Sequence, residues 1–210
     1  MSEGAILQLY KVKVSKKARM LASKFHMDPK IAEITLRESD YIFGGLPGFL
    51  LSIRDGMIAP NAGIDKSNVP RGIIVLYPND AFETAENLRL KFLINLNVRI
   101  GIVIADSRLM PTRIGTIGVA IASSGFEPVE DERGKKDLFG NVLRVTLKAV
   151  ADSLAAVGVA VMGEGNESIP AVVVRGFRVT PTDRKLSKHD MAMDPGQDIY
   201  IRGLMERQDI

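Results

Sequence analysis

Residues 49–69 read Phe49-Leu50-Leu51-Ser52-Ile53-Arg54-Asp55-Gly56-Met57-Ile58-Ala59-Pro60-Asn61-Ala62-Gly63-Ile64-Asp65-Lys66-Ser67-Asn68-Val69. Two strand-like runs, Phe49 to Ile53 and Met57 to Ala59, flank Asp55-Gly56, a dipeptide suited to a tight hairpin turn. The hairpin delivers a loop, Ala59 to Val69, that concentrates Asn, Gly, Asp, Lys and Ser. Pro60 and Gly63 interrupt regular structure there, so polar side chains can converge rather than alternate. Asp65 offers a hard carboxylate and Lys66 a cation suited to phosphate. Asn61, Ser67 and Asn68 offer neutral hydrogen-bonding groups. A solvated turn has the same composition, so the loop acquires meaning only from partners elsewhere.

The chain has 210 residues, 46% hydrophobic and 25% charged, the balance of a globular protein able to bury a real core. The net charge is +3 and the isoelectric point about 9.1. Such mild basicity suits a phosphorylated small molecule. Nucleic acid is disfavoured, because Lys and Arg are dispersed and only four Tyr and no Trp are available for stacking on bases. The absence of cysteine excludes disulfides, thiolate zinc sites and a cysteine nucleophile. With two histidines, His26 and His189, any bound metal must be held mainly by oxygen, which points to magnesium, manganese or calcium. No apolar run is long enough to span a bilayer, and the first residues lack a secretory pattern. A cytoplasmic location is expected.

Along the chain, Ala5 to Val14 alternates as a strand. Ser15 caps a helix to Phe25, and Asp28-Pro29 starts a second helix to about Ser39. Gly44 to Gly48 reads as a break. Gly72 to Tyr77 is a short apolar strand. A helix follows over about Ala81 to Leu96, with Phe82, Ala85, Leu88, Phe92 and Leu96 on its buried side. Val98 to Ala105 is a strand ending on Asp106-Ser107, Arg108 to Gly115 is irregular and basic, and Ile117 to Ala122 is a further strand. Asn141 caps a long helix to about Met162, its inner face Leu143, Leu147, Val150, Leu154 and Val157, and glycines near Gly163 end it. Ile169 to Val174 is a strongly apolar strand. Residues 177–210 form a polar tail with a last helix from Ile199 to Arg207. The pattern is that of a single α+β domain over 1–210, with a mixed sheet and flanking helices.

Three carboxylates stand at predicted element ends, where functional loops form: Asp65, Asp106 and Glu164. Together they could surround one divalent ion and leave positions for water and phosphate oxygens. Each alone is equally an ordinary capping or solvated residue. Phosphate recognition has candidates in Arg113, Ser107 and Gly115-Thr116-Ile117-Gly118, without a phosphate-loop or dinucleotide fingerprint. No Gly-x-Ser-x-Gly elbow supports nucleophilic catalysis, and both histidines read as structural or solvated.

Several segments in one order give a more specific signal. They are Asn61-Ala62-Gly63-Ile64-Asp65-x-Ser67-Asn68-Val69, Ile104-x-Asp106-Ser107, Arg113-x-Gly115-x-x-Gly118-x-Ala120-Ile121-x-x-Ser124-Gly125 and Gly134-x-Lys136-Asp137-Leu138-x-Gly140. They continue with Val145-Thr146, Ala151-Asp152, Met162-Gly163-Glu164-Gly165 and Ile169-Pro170-Ala171-Val172-Val173-Val174-Arg175-Gly176. In this order and spacing, from about Ser15 to Gly176, the chain resembles the coenzyme F420:L-glutamate ligases, also called F420-0:gamma-glutamyl ligases.

The resemblance implies that GTP activates a carboxylate of the deazaflavin precursor F420-0 as an acyl phosphate, and that the amine of L-glutamate attacks it. By position it implies Asp65, Asp106 and Glu164 as ligands of Mg2+ or Mn2+, with Asp65 and Asp106 as catalytic groups. Asn68 and Ser107 become contacts to GTP, and Arg113 a retained cation. A potassium requirement and a homodimer are implied as well. Two departures are visible. Val14-Ser15-Lys16 imitates a Ser-Lys pair of the family, but a later family helix follows it, so most of the N-terminal nucleotide-binding segment is expected to be absent. Arg108-Leu109-Met110 stands where the family has Gly-Arg. A ligase and a divergent relative that keeps the fold and a metal or ligand site without turnover both remain open.

Overall fold

The computed structural model describes residues 6–205. Its elements run β1 (Ile6–Gln8), α1 (Lys16–Lys24), α2 (Pro29–Glu38), β2 (Tyr41–Leu46), β3 (Phe49–Arg54), β4 (Met57–Pro60), β5 (Ile73–Val75) and α3 (Ala81–Leu96). They continue with β6 (Ile102–Leu109), β7 (Thr116–Ser124), β8 (Val129–Asp131), β9 (Leu147–Ala149), α4 (Val150–Met162) and α5 (Ile199–Met205). The strands form four small sheets, β1-β5, β2-β3-β4, β6-β7 and β8-β9, every pair antiparallel. Helices and antiparallel strands in this mixture make an α+β protein. The chain divides into two compact units, one built on Asp80–Met191, the other on Ser2–Asn79 with Ala192–Ile210.

In the unit of Ser2–Asn79, the caps read from the sequence are in place. The Ser15 hydroxyl accepts the Ala18 N–H at 3.2 Å, and the Asp28 carboxylate accepts that of Lys30 at 2.7 Å. Small residues let the first two helices approach closely: Ala18 and Ala22 of α1 meet Ala32 of α2. Ile31 and Ile34 of α2 pack with Val12 and Ile74, and each such side chain contributes about 1.5–3 kcal/mol by leaving water. The hairpin β3-β4 turns at Asp55 and Gly56, both with positive φ, as its strand twist requires. Its far end is closed by buried side chains rather than by another strand. The Asn61 carbonyl oxygen accepts the Leu50 N–H at 2.9 Å. The Ser52 hydroxyl donates to the Ala59 carbonyl and accepts the Ala62 N–H. Residues 61–63 all have positive φ. At Gly63 a Cβ would lie 2.5 Å from the Tyr77 ring, so the tight path requires glycine.

In the unit of Asp80–Met191, α4 lies on the β6-β7 ladder, and its Val150, Ala151 and Ala155 pack with Ala120 and Phe126. The close approach rests on Gly118, where a Cβ would lie 2.3 Å from the Ala155 carbonyl oxygen and 2.7 Å from Val159. Asp152 of α4 accepts the Ala120 N–H at 2.9 Å. On α3, Glu86 pairs with Arg89 at 2.7 Å and accepts the hydroxyl of the buried Ser124, while Arg89 reaches Asp183. Residues after the apolar segment also join this unit: Phe177, Val179 and Met191 pack against the core, and the Thr180 carbonyl accepts the Glu127 N–H.

Several local expectations change. The first strand stops at Gln8 because Leu9–Lys11 turns, its Leu9 N–H going to Gly72 and Val12 entering the core; Ala5 lies outside the described residues. The glycines at 44 and 45 belong to β2 at a register shift, not to a break. Asp106 and Ser107 are inside β6, which continues to Leu109 opposite Thr116. The long helix starts at Val150, not at Asn141. Its expected first turns form a hairpin instead, in which Lys136 bridges Val142, Asp137 accepts the N–H groups of Phe139 and Asn141, and β9 pairs with β8. Alternating Val, Thr and Leu at 145–147 favours that pairing over helical periodicity. On α3 only Ala85 is fully buried, and Leu88, Phe92 and Leu96 are exposed. Ile169 to Val174 is in no strand ladder. The last helix is described to Met205; Glu206 and Arg207 lie outside the described residues.

Asn61→Ala removes the acceptor of a buried N–H, so a loss of about 1–3 kcal/mol in urea unfolding is expected. Acid sensitivity follows from Glu33 and Glu86, each held at about 2 against an ordinary 4.5. The Ser15 hydroxyl and N–H, then Arg37, lower Glu33; Arg89, then Ser124, lowers Glu86. Both folded-state values are depressed, so this stabilisation is complete above pH 4.5 and is lost as pH falls toward 2. Urea midpoints measured across that window should fall with pH, and less steeply in Glu86→Gln.

Candidate metal and nucleotide site

The predicted site residues fall in both units, Asp65 and Asn68 in the one built on Ser2–Asn79, and Asp106, Ser107, Arg113 and Glu164 in the other. Each is set by its own local chemistry.

Asp65 is pinned by its main chain. Its N–H donates to the Val75 carbonyl at 3.0 Å, and its carbonyl accepts the Val75 N–H at 2.9 Å. Its exposed carboxylate takes up the Ser67 N–H at 2.7 Å and the Ser67 hydroxyl at 2.7 and 2.9 Å. The result is a rigid acidic turn anchored on a strand edge. Lys66 and Asn68 are exposed beside it, and Asn68 has a left-handed φ of 50°. Asn61, in contrast, is turned inward to Leu50 and serves the hairpin. The loop therefore presents Asp65, Lys66, Ser67 and Asn68 outward, and withdraws Asn61.

In the other unit the pleat of β6 decides which residues share a face. Ser107 stands opposite Gly118, and Asp106 opposite Val119. Gly118 faces α4, so Ser107 lies on the α4 side, while Asp106 and Arg108 occupy the opposite face. Asp106 lies 3.6 Å from the Arg108 guanidinium, whose side chain is buried. Glu164 follows Gly163, the last-turn cap of α4, and accepts the Thr116 hydroxyl at 2.9 Å. Thr116 and Gly118 share the α4 face, so Glu164 belongs with Ser107's side of the ladder and not with that of Asp106. Thr116, Ile117, Gly118, Ala156, Val159, Ala160, Gly163 and Glu164 line a shallow groove of about 200 Å³. Arg113 is exposed in the turn between β6 and β7.

The donor chemistry fits a hard cation, since all three carboxylates are oxygen donors and keep lone pairs beyond their present hydrogen bonds. Among the described residues, no group of three or more His, Asp or Glu side chains is arranged to hold a metal ion. Sequence reasoning passed over Thr116 as the partner of Glu164, and Asp152 as a carboxylate tied to the β7 backbone. The signal for Thr116 was its place in the Gly115-Thr116-Ile117-Gly118 run; Asp152 read as a mid-helix residue of a helix from Asn141, and only its place in the Ala151-Asp152 motif singled it out. Among the described residues, no helix is long and apolar enough to cross a membrane.

An α+β framework with an acidic turn, a strand-borne Asp-Ser pair and a helix-end Glu is thus present. The model of the F420-0:Gamma-glutamyl ligase family matches residues 1–176. A coenzyme F420:L-glutamate ligase of Methanopyrus kandleri is 38% identical over 178 residues, 84% of this chain and 71% of that protein. The ligase of the same name in Archaeoglobus fulgidus is 38% identical over 178 residues, 85% of this chain and 72% of that one. A third, from Methanosarcina mazei, is 33% identical over 176 residues, covering 84% and 69%. The chain belongs to the F420-0:gamma-glutamyl ligase family.

Gly118→Ala tests the packing that places Glu164. The added methyl meets backbone on α4, so a loss of about 2 kcal/mol or more is expected in urea unfolding, together with a changed near-ultraviolet spectrum.

Proposed function

We propose that this chain is a GTP-dependent ligase that joins L-glutamate to the carboxylate of F420-0. The observation that carries this reading is the family match over residues 1–176, together with ligases 38% identical over most of both chains. The reaction balances in two steps. A carboxylate oxygen of the deazaflavin substrate takes the γ-phosphoryl group and GDP leaves. The glutamate amine then attacks the activated carbonyl carbon, forms the amide, loses a proton and releases phosphate.

On this reading Asp65, Asp106 and Glu164 hold Mg2+ or Mn2+, which when bound would neutralise phosphate charge during transfer. Asp65 is held ready on a strand edge with a bound Ser67, a positioned acceptor rather than a mobile one. Asn68 and Ser107 contact GTP, and exposed Arg113 supplies a cation for its phosphates. Potassium serves as a further cation, the active form is a homodimer, and the location is cytoplasmic. The protein's part is mainly to position charge, which is where phosphoryl-transfer catalysis gains most. The second reading is a divergent member that binds metal or ligand without ligation. It is favoured by the pleat that sets Asp106 and Glu164 on opposite faces of the β6-β7 ladder.

Incubation with F420-0, glutamate, GTP and manganese should give a product heavier by one glutamyl residue in mass spectrometry, with GDP formed in step. No product and no GTP binding would sink the ligase reading. Asp65→Asn, Asp106→Asn and Glu164→Gln are each expected to weaken manganese-dependent GTP binding at least tenfold, about 1.4 kcal/mol, by calorimetry. Unchanged binding in a given variant removes that residue from the ligand set.

A further inference from the structure

Lys and Arg are dispersed over most of the chain, and residues 11–30 are the exception. Seven Lys or Arg stand there against one acid, a net +6 where the whole chain is +3, so the remainder is net negative. The nearby acids are already engaged. The Asp28 carboxylate accepts the Lys30 N–H, and that of Glu33 accepts the Ser15 N–H and pairs with Arg37. Lys11, Lys13, Lys16, Lys17 and Lys24 are exposed, and among the described residues none of them is in an ion pair.

The fold gathers these charges on one face. Ala18 and Ala22 of α1 are buried against Ala32 of α2. Lys16, Met20 and Lys24, spaced by four, therefore run along the opposite, exposed side, with Lys17 beside them. Two arginines anchor the main chain that leads into the helix: Arg19 donates to the Val14 carbonyl at 3.1 Å, and Arg37 to that of Lys13 at 2.9 Å. The arrangement works against local stability. Lys16 and Lys17 occupy the first two positions of α1, the positive end of its dipole, with no acid in its first turn. Lys16 and Arg19 add a like-charged pair one turn apart. A helix charged against its own dipole, on a chain otherwise net negative, calls for an anionic counterpart outside the molecule.

We propose that this face docks on the anionic phospholipid headgroups of a bilayer, with α1 lying in the plane of the interface. The side chains select lipid over nucleic acid. Six of the seven cations in residues 11–30 are Lys, point charges that take phosphate in any orientation, and the one arginine, Arg19, commits its guanidinium to Val14. Met20, 65% exposed, is central among the lysines, and Tyr10, 72% exposed, stands near them with the Lys11 Nζ 5.7 Å from its ring centre. Apolar groups ringed by lysines enter the headgroup region while the ammonium groups reach back to phosphate. A duplex backbone offers Met20 no such burial. Clusters of about four to eight Lys or Arg on an amphipathic helix suffice to hold an anionic leaflet. This surface is separate from the ligase reading and does not depend on it.

The test is flotation of the full chain with vesicles of phosphatidylcholine, alone or with about 30% phosphatidylglycerol, at about 0.1 M salt. Binding is expected to the anionic vesicles alone, falling at least about tenfold when salt reaches about 0.5 M. Lys16→Gln, Lys17→Gln and Lys24→Gln together should weaken it about 100-fold. Lys91→Gln, Lys136→Gln and Lys185→Gln together remove the same charge from the unit of Asp80–Met191 and should change it by less than about threefold. Far-ultraviolet circular dichroism checks that the variants fold, and the comparison of the two vesicle types on the unaltered chain stands without them. Binding to neither vesicle, equal binding to both, or equal losses in the two triple variants overturns the proposal. RNA binding at the same salt without vesicle binding overturns it in favour of nucleic acid.

Discussion

The unit of Asp80–Met191 depends on one close contact, α4 lying directly on the backbone of β7 at Gly118. With no Cβ at that position, the Ala155 carbonyl and the Val159 side chain come within the space a methyl would occupy. That approach lets Val150, Ala151 and Ala155 bury against Ala120 and Phe126, and brings Asp152 to the Ala120 N–H. It also sets where α4 ends, and hence where Glu164 meets Thr116. The core and the candidate ligand are consequences of the same missing side chain.

The other unit solves a different problem. A two-stranded hairpin, β3-β4, needs its open end closed, and buried Asn61 and Ser52 do this by substituting side-chain groups for ladder partners. Three consecutive left-handed residues follow, against the Tyr77 ring. Only after that constrained passage does the chain reach Asp65, whose main chain is fixed to Val75. The acidic turn is thus rigid because of what precedes it, and its carboxylate is presented at little conformational entropy loss.

The unit of Asp80–Met191 carries several exposed apolar side chains. Phe92 and Leu96 of α3 and Val161 of α4 are exposed on helices, and Val173 is exposed on an extended segment outside any ladder. Ile169–Val174 is extended and apolar, and among the described residues its backbone makes no hydrogen bond within the chain.

The sequence by itself determined the helices with strong local signals and the family. Ser15 and Asp28 cap where their side-chain oxygens predict, Asp55-Gly56 turns, and the ordered motifs from Asn61 to Gly176 carry the resemblance that the family match bears out. These depend on neighbours a few residues apart or on residue order. Only the tertiary structure decided that Asn61 points inward, that Asp106 is inside a strand facing away from Glu164's side, and that residues 141–149 form a hairpin rather than helix. Each of those depends on which distant backbone stands opposite. A one-residue difference in register exchanges the faces of a strand, and no local pattern records it.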